Sequence, residues 1–208
     1  MPDIPKATAE LTGFVLAGGR SSRMGTDKAA LLLNGRTLLD HAIGMVGAVT
    51  GEPPFILGSR QLYASYGEVI EDRYPGCGPL AGIHAALSRS STRFNLIIAV
   101  DTPFLSPELL RHMTMRAIES EAAVTVPEIA GYTQPLCAVY SRDFLPIAEN
   151  ALRSGSFKIV PLFPKDMTCI VTEAELARFA FDAEMFENLN TPEQMKRARL
   201  RPRAQDKE

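Results

Sequence analysis

Three groups of residues in this chain have the types and spacing to do chemistry together. The first is a glycine-rich run, Leu16-Ala17-Gly18-Gly19-Arg20-Ser21-Ser22-Arg23-Met24-Gly25, followed closely by Asp27-Lys28. Glycines let the backbone curl with its N–H groups turned inward, which makes a concavity for anions. Arg23 and Lys28 add full positive charges: arginine grips a phosphate through two parallel hydrogen bonds, and lysine acts as a compact point charge. The second is Asp101, directly after the apolar run Leu96-Ile97-Ile98-Ala99-Val100. A carboxylate there suits magnesium (Mg2+), which takes few carboxylates and several substrate oxygens; the competing role is to cap the turn at Thr102-Pro103. The third is Asp72, an acid just beyond Val69-Ile70 at the end of an apolar run, where an ordinary turn residue is the competing reading. The chemistry these residues suit is the handling of a triphosphate by positioning and charge neutralisation.

Two common phosphate loops are excluded. A P-loop needs four residues between its glycines and then Lys-Ser/Thr; here five separate Gly19 from Gly25, and Thr26-Asp27 follows. The dinucleotide fingerprint G-x-G-x-x-G is absent, and its companion acid is missing where Phe55-Ile56-Leu57 runs into Gly58-Ser59. No histidine stands out as a general base. His41, His84 and His112 all fall in helical stretches and read as surface or packing residues.

These residues need a scaffold that brings them to one place. Short apolar runs at Gly13–Leu16, Phe55–Leu57, Val69–Ile70, Leu96–Val100, Ala123–Val126 and Leu136–Tyr140 read as strands, with Ala138–Tyr140 antiparallel at an edge. Amphipathic stretches alternate with them. Thr37 caps one, Gly78-Pro79 opens another, Ser106-Pro107 a third, and Thr191-Pro192-Glu193-Gln194 is a capping box for the last. The run 96–100 is apolar throughout, as in a strand covered on both faces. Strands alternating with helices predict a three-layer α/β/α fold with a mostly parallel, Rossmann-like sheet. Ligands in such folds collect at the carboxyl ends of the strands, near the switch in strand order.

Composition narrows the class. The 208 residues fit one domain, and 46% hydrophobic content is ordinary for a globular protein. A net charge of -2 gives no global field that would draw the chain to nucleic acid or a membrane. Cys77, Cys137 and Cys169 are odd in number and widely spaced, so they read as packing residues in a reducing compartment. No signal peptide or membrane span is apparent, and the expected location is cytoplasmic.

The pattern Leu16-Ala17-Gly18-Gly19-x-Ser21-x-Arg23-Met24-Gly25-x-Asp27-Lys28 resembles the signature of molybdenum cofactor guanylyltransferases, which are glycosyltransferase-A-like nucleotidyltransferases. The resemblance continues through Asp72, Gly78-Pro79-Leu80-Ala81-Gly82, Asp101-Thr102-Pro103 and Asn188-x-Asn190-Thr191-Pro192, covering Phe14 to about Met195. It implies transfer of GMP from GTP to molybdopterin bearing its molybdenum centre, with pyrophosphate released. It places the nucleotide on Leu16, Ala17, Gly18, Gly19, Lys28, Asp72 and Asp101, with Mg2+ on Asp101, and puts Asn188 and Asn190 on the pterin side. Tyr132, Gln134 and Pro135 are weaker candidates for the same cleft. Molybdoenzyme-maturation proteins are the implied partners. In these terms residues 12–196 form the nucleotidyltransferase domain, between an N-terminal extension (1–11) and a charged, disordered tail (197–208).

The sequence departs from the family where an asparagine contact often follows the second strand: this chain has Leu57-Gly58-Ser59. Cytidylyltransferases acting on the same pterin tend to carry alanine in place of Gly18 and lack the 78–82 block. Sugar-phosphate and methylerythritol-phosphate nucleotidyltransferases usually have proline where Asp27 stands. A related transferase preferring CTP, and a catalytically idle nucleotide-binding domain, are the alternatives.

Overall fold

The structure, a computed structural model, describes residues 11–18 and 27–200. Its centre is a sheet whose strands follow the apolar runs. β1 (Leu11–Leu16) lies between β4 (Phe55–Leu57) and β6 (Phe94–Ala99), parallel to both, and β5 (Val69–Ile70) extends the sheet beyond β4. On the other side of β6 come β9 (Cys137–Ser141), β7 (Val124–Ile129) and β10 (Thr168–Val171), with the short β8 (Tyr132–Thr133) pairing with β7. Every residue of β6 is buried, which agrees with a strand covered on both faces. A two-residue hairpin, β2 (Leu32–Leu33) with β3 (Arg36–Thr37), stands apart from this sheet.

One expectation needs correction. β9 is antiparallel, as its sequence suggested, but it is not at an edge. It is inserted between β6 and β7 and pairs with both. All five of its residues are buried, so the run carries no polar face that would mark an edge strand.

Helices cover both faces. On one side α1 (Leu38–Thr50), α4 (Pro107–Ser120) and α7 (Pro192–Arg199) join a core with Val15, Leu96 and Ile98. On the other, α3 (Pro79–Arg89) and α5 (Leu145–Arg153) pack on Phe14, Leu16 and Ile97. Alternation along β1 and β6 thus sends successive side chains into opposite layers. Short helices α2 (Arg60–Tyr63) and α6 (Glu173–Ala177) complete the set.

The capping signals operate as read. Thr37 and Asp40 form a reciprocal capping box at α1, Ser106 caps α4 through the amide of Leu109, and Thr191 with Gln194 boxes α7. The three cysteines are free thiols, and burial pushes the Cys137 thiol up to about 12, so it is an unreactive packing group. Among the described residues no helix is long and apolar enough to cross a membrane.

Candidate functional site

Chain order places the site. β1 connects through α1 to β4 on one side, and β5 connects through α3 to β6 on the other, so strand order reverses at β1. The adjacent ends of β1 and β6 form the crevice where α/β folds bind ligands. Register fixes their alignment: Leu16 pairs with Ala99, and the Val100 amide donates to the Leu16 carbonyl at 3.0 Å. Ala17-Gly18 and Asp101 therefore leave the sheet side by side.

The two charged groups meet there. Lys28 lies on a single 3-10 turn, Lys28–Ala30, whose N-cap Asp27 accepts from the Ala29 amide at 3.0 Å. Its ammonium is 3.1 Å from Asp101 Oδ2, with the two side chains 22% and 20% exposed. That exposure leaves both reachable by a ligand, while partial burial limits solvent screening of the pair. Lys28 also donates to the side-chain oxygen of Asn190. The segment bearing Asn190 is tied to the same place, because the Leu189 amide donates to the Asp101 carbonyl at 2.8 Å.

The other expected residues distribute as follows. Asp72 is exposed, two residues past β5, which runs parallel to β4 and β1, so it stands at the same rim but two strands from the glycine loop. Asn188 is half-buried, two residues before Asn190. Tyr132, Gln134 and Pro135 lie between β7 and β9, and the neighbouring Leu136 carbonyl accepts from Ala99 at 2.8 Å, so this segment borders the same rim. Gly19 and Arg23 lie outside the described residues.

The structure changes what two loop residues can offer. The amides of Ala17 and Gly18 both donate to the Leu57 carbonyl, at 3.0 and 3.1 Å. They are committed to the sheet and are not anion donors. Leu16 and Ala17 are buried, Gly18 is exposed at the end of β1, and the positive charge at this rim comes from Lys28. In the block 78–82, Gly82 serves packing, since an added Cβ would lie 2.4 Å from Leu16 Cδ2. Helix α3 therefore rests directly against the strand that carries the site.

Sequence reasoning missed Tyr63. Its hydroxyl donates toward the Ala17 carbonyl at 3.2 Å and toward Asp27 Oδ1 at 3.0 Å. It sits at the end of a four-residue helix, too short for any periodic signal. The histidines stay out of the site, as expected. His41 bonds the Leu33 carbonyl, His112 faces Glu175, and His84 is buried on α3. Burial of His84 holds its imidazole below the usual histidine range.

Among the described residues no group of three or more His, Cys, Asp or Glu is placed to hold a metal. Asp101 belongs to no such cluster, and a single aspartate suits an ion that takes its remaining ligands from substrate oxygens and water.

Residues 13–160 match the model of the MobA-like NTP transferase domain. The chain is 35% identical to a probable molybdenum cofactor guanylyltransferase of Pelotomaculum thermopropionicum, over 92% of this chain and 93% of that protein. It is 34% identical to the molybdenum cofactor guanylyltransferase of Desulfosudis oleivorans, over 90% of this chain and 94% of that one. The crystal structure of molybdopterin-guanine dinucleotide biosynthesis protein A from Archaeoglobus fulgidus superposes with a TM-score of 0.80 at 27% identity, covering 90% of this chain and 96% of that chain.

Proposed function

Because the chain belongs to the MobA-like NTP transferase family, and is therefore a nucleotidyltransferase, we propose that it transfers GMP from GTP to the terminal phosphate of molybdenum-bearing molybdopterin and releases pyrophosphate. The observation that carries this reading is the convergence of Lys28, on its 3-10 turn, with Asp101, just past the end of β6, 3.1 Å apart. The relatives named above support the choice of guanine and pterin.

In this reaction a phosphate oxygen of the acceptor forms a bond to the α-phosphorus of GTP, and the bond to the pyrophosphate oxygen breaks. A phosphate monoester is ionised near neutral pH, with a second pKa of about 6, so no protein base is required. That accords with histidines that stand apart from the site. The difficulty is to bring two anions together. Lys28 and Asp101 form an ion pair that balances their charges. Lys28 supplies positive charge to the triphosphate, and Asp101 is the carboxylate that would hold Mg2+. Bound there, Mg2+ would neutralise charge on the phosphate oxygens. Leu16, Ala17 and Gly18 seat the nucleotide, with Gly19 and Arg23 assigned from sequence to the same loop and Asp72 to a hydrogen bond with the nucleotide. Asn188 and Asn190 are assigned to the acceptor side. Three free thiols suit a reducing, cytoplasmic setting, from which product would pass to molybdoenzyme-maturation proteins.

The test is pyrophosphate release from protein, Mg2+ and molybdopterin with each nucleoside triphosphate in turn. Release with GTP alone is the expected result. Release with CTP alone would move the chain to a cytidylyl-transferring branch, and no release with any nucleotide would overturn catalysis.

A further inference from the structure

Tyr63 joins two parts of the site that its own chemistry does not serve. We propose that its hydroxyl is a positioning group that holds Lys28 at the height of the Asp101 carboxylate, by bridging the end of β1 to the N-cap of the turn bearing the lysine; the proposal rests on the nucleotide-binding role given to that lysine above.

The phenol has one hydrogen to donate and faces two acceptors, the Ala17 carbonyl at 3.2 Å and Asp27 Oδ1 at 3.0 Å. Asp27 is the N-cap of the turn Lys28–Ala30, so the same carboxylate oxygen that meets Tyr63 also accepts from the Ala29 amide. A shift of Asp27 would rotate that turn and carry Lys28 away from Asp101 and Asn190. The ring is itself fixed. Tyr63 is 4% exposed within the core around Ala17, Ala29, Ile56 and Val69. It lies over Gly58, where an added Cβ would be 2.8 Å from its Cε2 and 3.2 Å from the Gly18 amide nitrogen. A side chain at 58 would push the ring off its seat. Burial and the Asp27 carboxylate hold the phenol pKa well above its ordinary value, so it remains a donor at working pH.

The chain runs Gly58, Tyr63, Asp27, Lys28, Asp101, and only its last two members face the ligand. The test separates a hydroxyl that acts through Lys28 from one that merely supports the fold. The full-length protein and the variants Tyr63→Phe, Lys28→Ala and both together are titrated with GTP and Mg2+ by calorimetry, with CTP in parallel. Phenylalanine keeps the ring packing. The expected result is a Kd raised by roughly three- to tenfold in Tyr63→Phe, the scale of one lost hydrogen bond, and no further rise when Tyr63→Phe is added to Lys28→Ala. Asp27→Ala should reproduce the Tyr63→Phe effect. An unchanged Kd in Tyr63→Phe, or an effect that persists in full without Lys28, overturns the proposal. Wild-type binding of CTP in place of GTP would correct the guanine assignment alone, since the same cycle is then read with CTP. Binding of neither overturns both.

Discussion

The amide of Leu189 donates to the carbonyl oxygen of Asp101 at 2.8 Å, and the next residue, Asn190, accepts from Lys28. A segment near the end of the chain thereby holds both charged residues of the site, one through its backbone and one through a side chain. The two contacts differ in kind. Leu189 is buried in a core with Phe186, Met195 and Ala198, whereas Asn190 is exposed.

Substitutions there should separate stability from activity. Leu189→Ala is expected to cost about 2–5 kcal/mol in denaturant unfolding, as for other buried leucines. Asn190→Ala should cost less than about 1 kcal/mol, since an exposed hydrogen bond contributes little. It should nevertheless lower kcat/KM several-fold, because Lys28 loses one of its two anchors. Wild-type kinetics in Asn190→Ala would show that the anchor is immaterial.

Gly82 tests the seat of α3 on β1. Its Cβ would lie 2.4 Å from Leu16 Cδ2, so Gly82→Ala should destabilise by about 1–3 kcal/mol through overpacking. Combined with Leu16→Ala the penalties should be less than additive, because the new methyl enters the space that leucine vacates. Additive losses in urea unfolding would mean that the two residues are not in contact.

Alkaline pH should weaken the fold. Burial raises the Cys137 thiol from 9.0 to about 12 and raises the Tyr63 and Tyr140 phenols too. A raised folded-state pKa contributes stability that is intact below the unfolded value and is lost as pH climbs toward the folded one. For Cys137 that window runs from 9.0 to about 12. Across it, each group should steepen the decline of unfolding free energy by up to about 1.4 kcal/mol per pH unit. Cys137→Ala should be flatter than wild type between those limits, and an identical slope would contradict the assignment.

How much of this was written in the residue order depends on range. The meeting of Lys28 and Asp101 was legible because the strand-end position of Asp101 follows from a local apolar run, and the rule for ligand location pointed to the same rim. Sequence read β9 as antiparallel but misplaced it, since a fully buried five-residue run looks the same beside one neighbour or between two. The Lys28–Asn190 contact links residues 162 apart in sequence, and nothing local announces it. Tyr63 was invisible for the same reason: its importance lies in what two other segments bring to it. The Ala17 and Gly18 amides were misjudged because strand geometry, not glycine content, decided that the Leu57 carbonyl would take both donors.

The most direct measurement is turnover of Asp101→Asn, assayed as pyrophosphate release from GTP with molybdopterin at saturating Mg2+, alongside circular dichroism to verify folding. Metal charge stabilisation is worth several kcal/mol, and each ~1.4 kcal/mol is tenfold in rate. The expected result is therefore a folded protein with turnover reduced by roughly two orders of magnitude or more. A folded Asp101→Asn variant turning over at the wild-type rate would contradict the placement of the ion, and with it the mechanism.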